Sequence, residues 1–115
     1  MSDTAYSGAH ETAQIHRKFH SQDALDGMPD RIREIVLEEW DREAMPLEHL
    51  LRHHGHKAAH TRHRIWWRIR QTKNRRGLSP SFPQIGLWFG RDHTTIMLGS
   101  KAHERRMLSI QEEHS

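Results

Sequence analysis

The residues best suited to recognition chemistry form one string, RDHTT, at residues 91–95. Before and after it, Gly86, Gly90 and Ile96 stand at intervals of four and six residues. A helix-turn-helix uses these intervals for a small residue where two helices cross, a turn residue that tolerates positive φ, and an apolar anchor. The spacing therefore predicts a helix, a glycine turn and a second helix, which Asp92 would cap.

The side chains of this string suit contacts with the edges of DNA bases. The carboxylate of Asp92 can accept a hydrogen bond from the cytosine amino group, and the imidazole of His93 can donate or accept one. The hydroxyls of Thr94 and Thr95 can bond to bases or phosphates, and their methyl groups can pack on the thymine methyl. These residue types predict a helix that lies in the major groove.

Positive charge is concentrated upstream of the string, although the formal net charge of the chain is only +3. No Asp or Glu occurs between His49 and Arg91, whereas acidic residues lie on both sides of that block. The cations of the block are Arg52, Lys57, Arg62, Arg64, Arg68, Arg70, Lys73, Arg75, Arg76 and Arg91. Such a block predicts a polyanionic partner, and the alternative is a solvated basic face that binds nothing.

The elements that must position these residues are all predicted to be helices. Asp30, after Pro29, is the expected N-cap of an acidic first helix over residues 30–43, and Pro46 opens a short second helix. A basic loop at residues 52–59 follows, and Thr61 is the expected cap of a third helix.

That third helix is expected to direct its arginines mostly outward, Arg62 and Arg64 among them. Its adjacent Trp66 and Trp67 must diverge by about 100°. Ser81 then caps a helix with Pro83 in its first turn. The prediction is an all-α fold, a small helical bundle containing a helix-turn-helix over residues 28–108. Residues 1–27 are predicted to be a flexible N-terminal arm, and residues 109–115 a C-terminal tail.

Composition excludes several classes of function. The chain has 115 residues, only 34% of them hydrophobic, and no cysteine, so disulfides and thiolate metal centres are excluded. No paired carboxylates, Ser-His-Asp set or nucleotide-binding loop occurs, and no enzyme or cofactor is predicted. No apolar run approaches the ~20 residues of a membrane span, and the N-terminus is not that of a secretory signal. A cytoplasmic protein is expected.

Twelve histidines make a metal site the alternative to consider. His60 and His63 are three residues apart and can share a helical face that holds zinc or nickel. Without cysteine or a nearby carboxylate, the sequence favours polar loop residues beside phosphate, and no metal is predicted. Neighbouring phosphates would raise the pKa of these histidines, so binding to DNA is expected to strengthen as the pH falls from about 7.5 to 6.

One segment of the sequence is similar to that of a known protein family. The segment SFPQIGLWFGRDHTTIMLGSKAHER resembles the C-terminal DNA-binding domain of the bacterial chromosomal replication initiator family, DnaA, and the likeness covers about residues 32–106. It implies a bundle of the Trp-repressor type that binds double-stranded DNA at a short asymmetric box. It also implies base contacts by Asp92, His93 and Thr94, with Pro83 packed against a thymine.

The resemblance further implies phosphate contacts by residues spread over two segments, namely Ser81, Arg91, Thr95, His63 and Arg64. Arg62 is expected to join them from the third helix. The position of the family's minor-groove arginine is Gly55 here, and Lys57 or His56 is expected to reach that groove instead. A single glycine, Gly90, stands where the family has two, and no phosphate loop for ATP is present.

Two functions remain open at this stage. The first is a sequence-specific DNA-binding protein, associated with the nucleoid, that regulates transcription or modulates replication without binding a nucleotide or a membrane. The second is a protein-interaction adaptor with weak affinity for DNA, which would dock a partner through its N-terminal arm or its acidic first helix.

Overall fold

Six helices account for most of residues 21–114, the part of the chain that the computed structural model describes. They are α1 (Ser21–Asp26), α2 (Asp30–Asp41), α3 (Leu47–Arg52), α4 (His56–Gln71), α5 (Phe82–Phe89) and α6 (His93–His114). No strand occurs in this range, and the predicted all-α fold is confirmed. Nor does any of these helices combine the length and apolarity needed to cross a membrane.

The packed region begins before residue 28. Leu25, on α1, and Met28 are 4% and 2% exposed, and both belong to the hydrophobic core. The predicted boundary between arm and domain therefore falls inside the packed region. The rest of the predicted arm, residues 1–20, lies outside the described residues. At the other end, α6 extends through the predicted tail as far as His114.

Helix α4 lies at the centre of the bundle and contacts α2, α3 and α6. Its Ile65, Trp66 and Ile69 are fully buried. The other elements add apolar side chains at helical spacing, namely Ile32, Ile35, Val36, Leu50, Leu51, Ile85, Phe89 and Ile96. Burial of these side chains away from water is the main favourable contribution to folding, and it fixes the helices that carry the candidate site.

Two predicted helix caps are wrong. Pro29, not Asp30, occupies the N-cap of α2, and the carboxylate of Asp30 lies 3.4 Å from Arg33 instead. Helix α4 begins at His56, five residues before the predicted cap Thr61. Thr61 is buried inside the helix, where its hydroxyl shares its proton between the Lys57 carbonyl oxygen at 3.0 Å and Glu43 Oε1 at 3.1 Å.

The two adjacent tryptophans of α4 diverge as predicted. Trp66 is buried against Phe89, with the two rings edge to face at 6.1 Å. Trp67 faces the surface of the bundle beside α6, where its Nε1 donates to Glu104 Oε2 at 3.4 Å and its ring lies 5.3 Å from that of His103. Both tryptophans therefore help to fix α6 on α4, one from the core and one from the surface.

Candidate functional site

The start of α5 has the cap that the sequence predicts. Ser81 is the N-cap, and its Oγ accepts a hydrogen bond from the backbone N–H of Gln84 at 3.2 Å. Pro83 lies in the first turn, where its missing N–H costs little. Ser81 and Pro83 are both exposed, so the N-terminal end of α5 is open to a ligand.

The turn between α5 and α6 depends on two glycines. Gly90 has φ 63° and ψ 36°, the left-handed conformation that glycine adopts without a Cβ penalty. The N–H of Arg91 donates to the Gly86 carbonyl at 2.9 Å. A Cβ at Gly86 would collide with the Arg91 carbonyl oxygen and would lie 3.6 Å from His93 N. Gly90 therefore has the positive φ expected of it, and Gly86 lies where the backbone of Arg91 approaches α5 too closely for a Cβ.

The first turn of α6 is capped by Asp92, as predicted. Its Oδ2 accepts from the backbone N–H of Thr94 at 3.1 Å, and its Oδ1 lies 3.6 Å from His93 Nδ1. Ile96, the predicted anchor, is fully buried. Asp92, His93, Thr94 and Thr95 are all exposed, so the structure brings these four predicted site residues together on one open helix end.

Arg62, which is buried, and Arg91, which is half-buried, cap the end of α3. Arg62 is 4% exposed, and its Nη1 donates to the carbonyl oxygens of Leu50 at 2.9 Å and His53 at 2.7 Å. Arg91 Nη2 donates to the Leu51 carbonyl at 2.9 Å. Burial lowers the pKa of both guanidiniums, that of Arg62 to about 10.

The prediction that Arg62 points outward is therefore wrong. The last carbonyls of a short helix have no partner within that helix, and they need donors from elsewhere.

Arg64 and Arg68, also on α4, are neutralised by acidic residues on α2 and just after it. Glu39 is 0% exposed. Its Oε1 accepts a hydrogen bond from Arg64 Nε at 2.6 Å, and its Oε2 accepts one from Arg68 Nη1 at 2.9 Å. Arg64 Nη2 also contacts Glu43 at 3.2 Å, and Arg68 Nη2 contacts Glu38 at 2.6 Å. The hydrogen bond between Arg68 and Glu38 raises the pKa of Arg68 and lowers the pKa of Glu38.

The basic block is therefore not an uncompensated surface in this region. Acidic side chains that precede the block in sequence fold back on it in space. Arg64 in particular has its Nε and Nη2 committed to carboxylates. Its predicted contact with the DNA backbone would require exchange of those carboxylates for phosphate.

The remaining accessible basic residues near the start of α4 lie around its N-cap, Gly55. His56 and Lys57 are exposed, and Lys57 Nζ is 3.8 Å from Glu43 Oε2 with 71% of its side chain accessible. In the preceding loop, His53 Nδ1 accepts from the Gly55 N–H at 2.9 Å, and its ring stacks on His49 at 3.8 Å. The N-terminus of α4 has no side-chain cap, so its dipole is directed at solvent beside His56 and Lys57.

His63 lies between α4 and α6 rather than on an open surface. Its Nδ1 is 3.0 Å from Arg106 Nη2, and its ring is 5.7 Å from that of Trp66. Burial, followed by the charge of Arg106, lowers its pKa to about 4. The pKa of His60 is also lowered, chiefly by burial. In the protein without DNA, these two pKa values thus shift in the direction opposite to the rise expected beside phosphate.

The histidines of α4 are spaced along one side of the helix. The rings of His60 and His63 are 6.2 Å apart. Within the described part of the chain, no three side chains of His, Asp or Glu converge on a point where they could hold a metal ion.

The outer face of α6 beyond Thr95 was not anticipated from the sequence. Leu98, Lys101 and Arg105 are exposed there, while Ile96, Gly99 and Ser100 face the bundle. The signal was the spacing of four residues from Thr94 to Leu98, which places the two on the same side of a helix.

We found no protein-family model that matches this chain, no curated protein that matches its sequence, and no solved structure that matches its fold.

Proposed function

We propose that this protein binds double-stranded DNA in a sequence-specific manner, by placing the N-terminal end of α6 in the major groove. The observation that carries the proposal is the exposure of Asp92, His93, Thr94 and Thr95 on one helix end, held by the Gly86–Gly90 turn. The arrangement of helix, left-handed glycine turn and helix is the one a helix-turn-helix needs to present its recognition helix.

Each exposed side chain of the helix end has a role in this proposal. Asp92 uses one carboxylate oxygen to cap α6, which leaves the other to accept from a cytosine amino group. His93 and Thr94 contact bases, and Thr95 contacts a phosphate. The resemblance of the string RDHTT to the initiator family supports the same assignment.

Two further helix ends supply the contacts with the DNA backbone. Ser81 and Pro83 lie at the start of α5, and His56 and Lys57 at the start of α4. Helix N-termini attract phosphate because their first backbone N–H groups have no partner within the helix. We do not assign Arg62 a contact with the DNA backbone because it is buried. We do not assign one to Arg64 because Glu39 and Glu43 neutralise its charge.

Within this proposal the protein acts through occupancy of its site, as a transcription regulator or a modulator of replication, and not through catalysis. It would work on the nucleoid. The alternative of an adaptor that docks a partner through its acidic helix has less support, since three acids of that region pair with Arg64 and Arg68.

A selection from random duplexes with the full chain, at moderate and fixed salt, tests the proposal. We expect a defined motif, and we expect His93→Ala and Thr94→Ala each to weaken binding to that motif by about 1–3 kcal/mol, with little effect on unrelated duplexes.

The matched control is Gln71→Ala, an exposed position at the far end of α4, which should bind like the parent. Selection of no motif, or full affinity of the His93→Ala variant for the selected duplex, would show that α6 does not read sequence.

A further inference from the structure

One stripe of exposed side chains runs along α6 opposite its buried face. Thr94, Leu98, Lys101 and Arg105 follow one another at intervals of four, three and four residues, and all four are exposed. These intervals keep side chains on one side of an α-helix. The stripe therefore continues the surface of the first turn along the next three turns of the same helix.

Leu98 is the apolar member of this stripe. The residue is 56% exposed, and on the stripe it lies between Thr94 and Lys101. Leucine has no donor or acceptor, so it cannot recognise the polar pattern of a base pair. The apolar feature of the major groove is the C5-methyl group of thymine, and that methyl group is the partner that a leucine side chain fits.

The charges around Leu98 favour DNA over an apolar protein surface. Lys101 and Arg105 follow it on the stripe, and among the side chains that the structure describes neither forms an ion pair. Glu104, the acid on this part of α6, is directed toward Trp67 on α4. Phosphates on either side of the groove are complementary to such a pair of exposed cations.

The position of Leu98 also fits the dimensions of the groove. It lies four residues beyond Thr94, about 6 Å along the helix axis. Leu108, which is 53% exposed, lies fourteen residues beyond Thr94, about 21 Å away and beyond a groove ~12 Å wide. Exposed leucines are common on protein surfaces. Leu98 differs from the others because it lies one helical turn from Thr94, which is proposed to contact a base.

We infer that Leu98 determines sequence specificity by packing on the C5-methyl group of a thymine. That thymine lies about 6 Å, one turn of α6, from the base that Thr94 contacts, and Lys101 contacts a neighbouring phosphate. This inference rests on the proposed function, since it requires α6 to lie in the major groove.

Replacement of single thymines by deoxyuridine tests it, because that exchange removes the methyl group and leaves every hydrogen-bonding group in place. The full chain is titrated with its selected duplex and with a set of duplexes that each carry one deoxyuridine. We expect at least one replacement to weaken binding about fourfold, the equivalent of about 0.8 kcal/mol for one buried methyl group. The Leu98→Ala variant should lose that penalty at one thymine and keep it at any other.

Leu108→Ala is the control, since it removes an exposed leucine of the same helix and should keep every penalty of the parent. Equal thermal melting of both variants with the parent shows that they are folded. If no replacement weakens the parent, or if Leu98→Ala keeps all penalties, the role of Leu98 is refuted while sequence-specific binding stands. If selection returns no motif, the proposed function fails, and the role of Leu98 fails with it.

Discussion

Helices α4 and α6 both carry cations, yet the fold uses them in different ways. On α4, Arg64 and Arg68 end on the buried carboxylate of Glu39. On α6, Lys101 and Arg105 lie on an exposed stripe that begins at Thr94. The contrast shows that a block free of acids in the sequence can still be neutralised in space, because a neighbouring helix supplies the carboxylates.

The largest expected effect comes from removal of the charge that holds α4 to α2. Glu39→Gln keeps the size of the side chain but leaves the guanidiniums of Arg64 and Arg68 without their shared carboxylate. Breaking a buried ion pair by removing one partner is strongly destabilising, and we expect the free energy of unfolding to fall by about 3 kcal/mol. Urea denaturation followed by circular dichroism measures it.

Glu34→Gln is the matched control on the same helix. The Glu34 side chain is 61% exposed and lies 3.6 Å from Arg31, so its loss should cost less than about 0.5 kcal/mol. Equal costs for the two variants would mean that the buried network does not hold the arginines of α4.

A smaller effect is expected when the pH is lowered, through His63, which lies between α4 and α6. The pKa of His63 is lowered to about 4, by burial first and then by the charges of Arg106, His60, Arg62 and His103. The unfolded chain binds this proton near pH 6.5, the ordinary value for histidine. Between these values the unfolded state holds more protons, so stability decreases as the pH falls from about 6.5 to 4.

The shift corresponds to at most about 3 kcal/mol, and solvent around a half-buried ring reduces the expected loss to about 1–2 kcal/mol. Urea denaturation at several pH values measures the loss as a difference between the parent and His63→Gln, in which this term is absent. His54→Gln, a change at an exposed loop position, should keep the pH dependence of the parent. An identical profile for the parent and His63→Gln would contradict the assignment.

The local features of the fold could be predicted from the sequence where one residue type settles the geometry. Gly90 takes the left-handed turn, Ser81 and Asp92 cap their helices, and Ile96 is buried as the anchor. Each of these depends on chemistry within a few residues of the chain, so the spacing alone was sufficient.

The partners of the arginines could not be predicted in the same way. The contact between Arg64 and Glu39 spans 25 residues, and that between Arg91 and Leu51 spans 40. Such contacts depend on how α2, α3 and the start of α6 pack against α4, which helical periodicity does not specify. The error at Thr61 has a related cause, since a threonine that can cap a helix can equally donate to the carbonyl four residues before it.

The smallest expected effect is the most direct test of the contrast between the helices. If the charge of Arg64 is already taken up by Glu39 and Glu43, Arg64→Gln should leave the slope of log K against log salt for the selected duplex nearly unchanged. Lys57→Gln removes a cation that is 71% exposed, and it should reduce the slope by about 0.9, the value for one phosphate contact.

Fluorescence anisotropy at four or five salt concentrations gives both slopes, at a temperature where circular dichroism shows that each variant is folded. A slope reduced by about one unit for Arg64→Gln would mean that Arg64 leaves its carboxylates for phosphate when DNA binds. In that case Glu39 and Glu43 would be released at the same step, and the α2–α4 contact would belong to the binding surface as well as to the core of the fold.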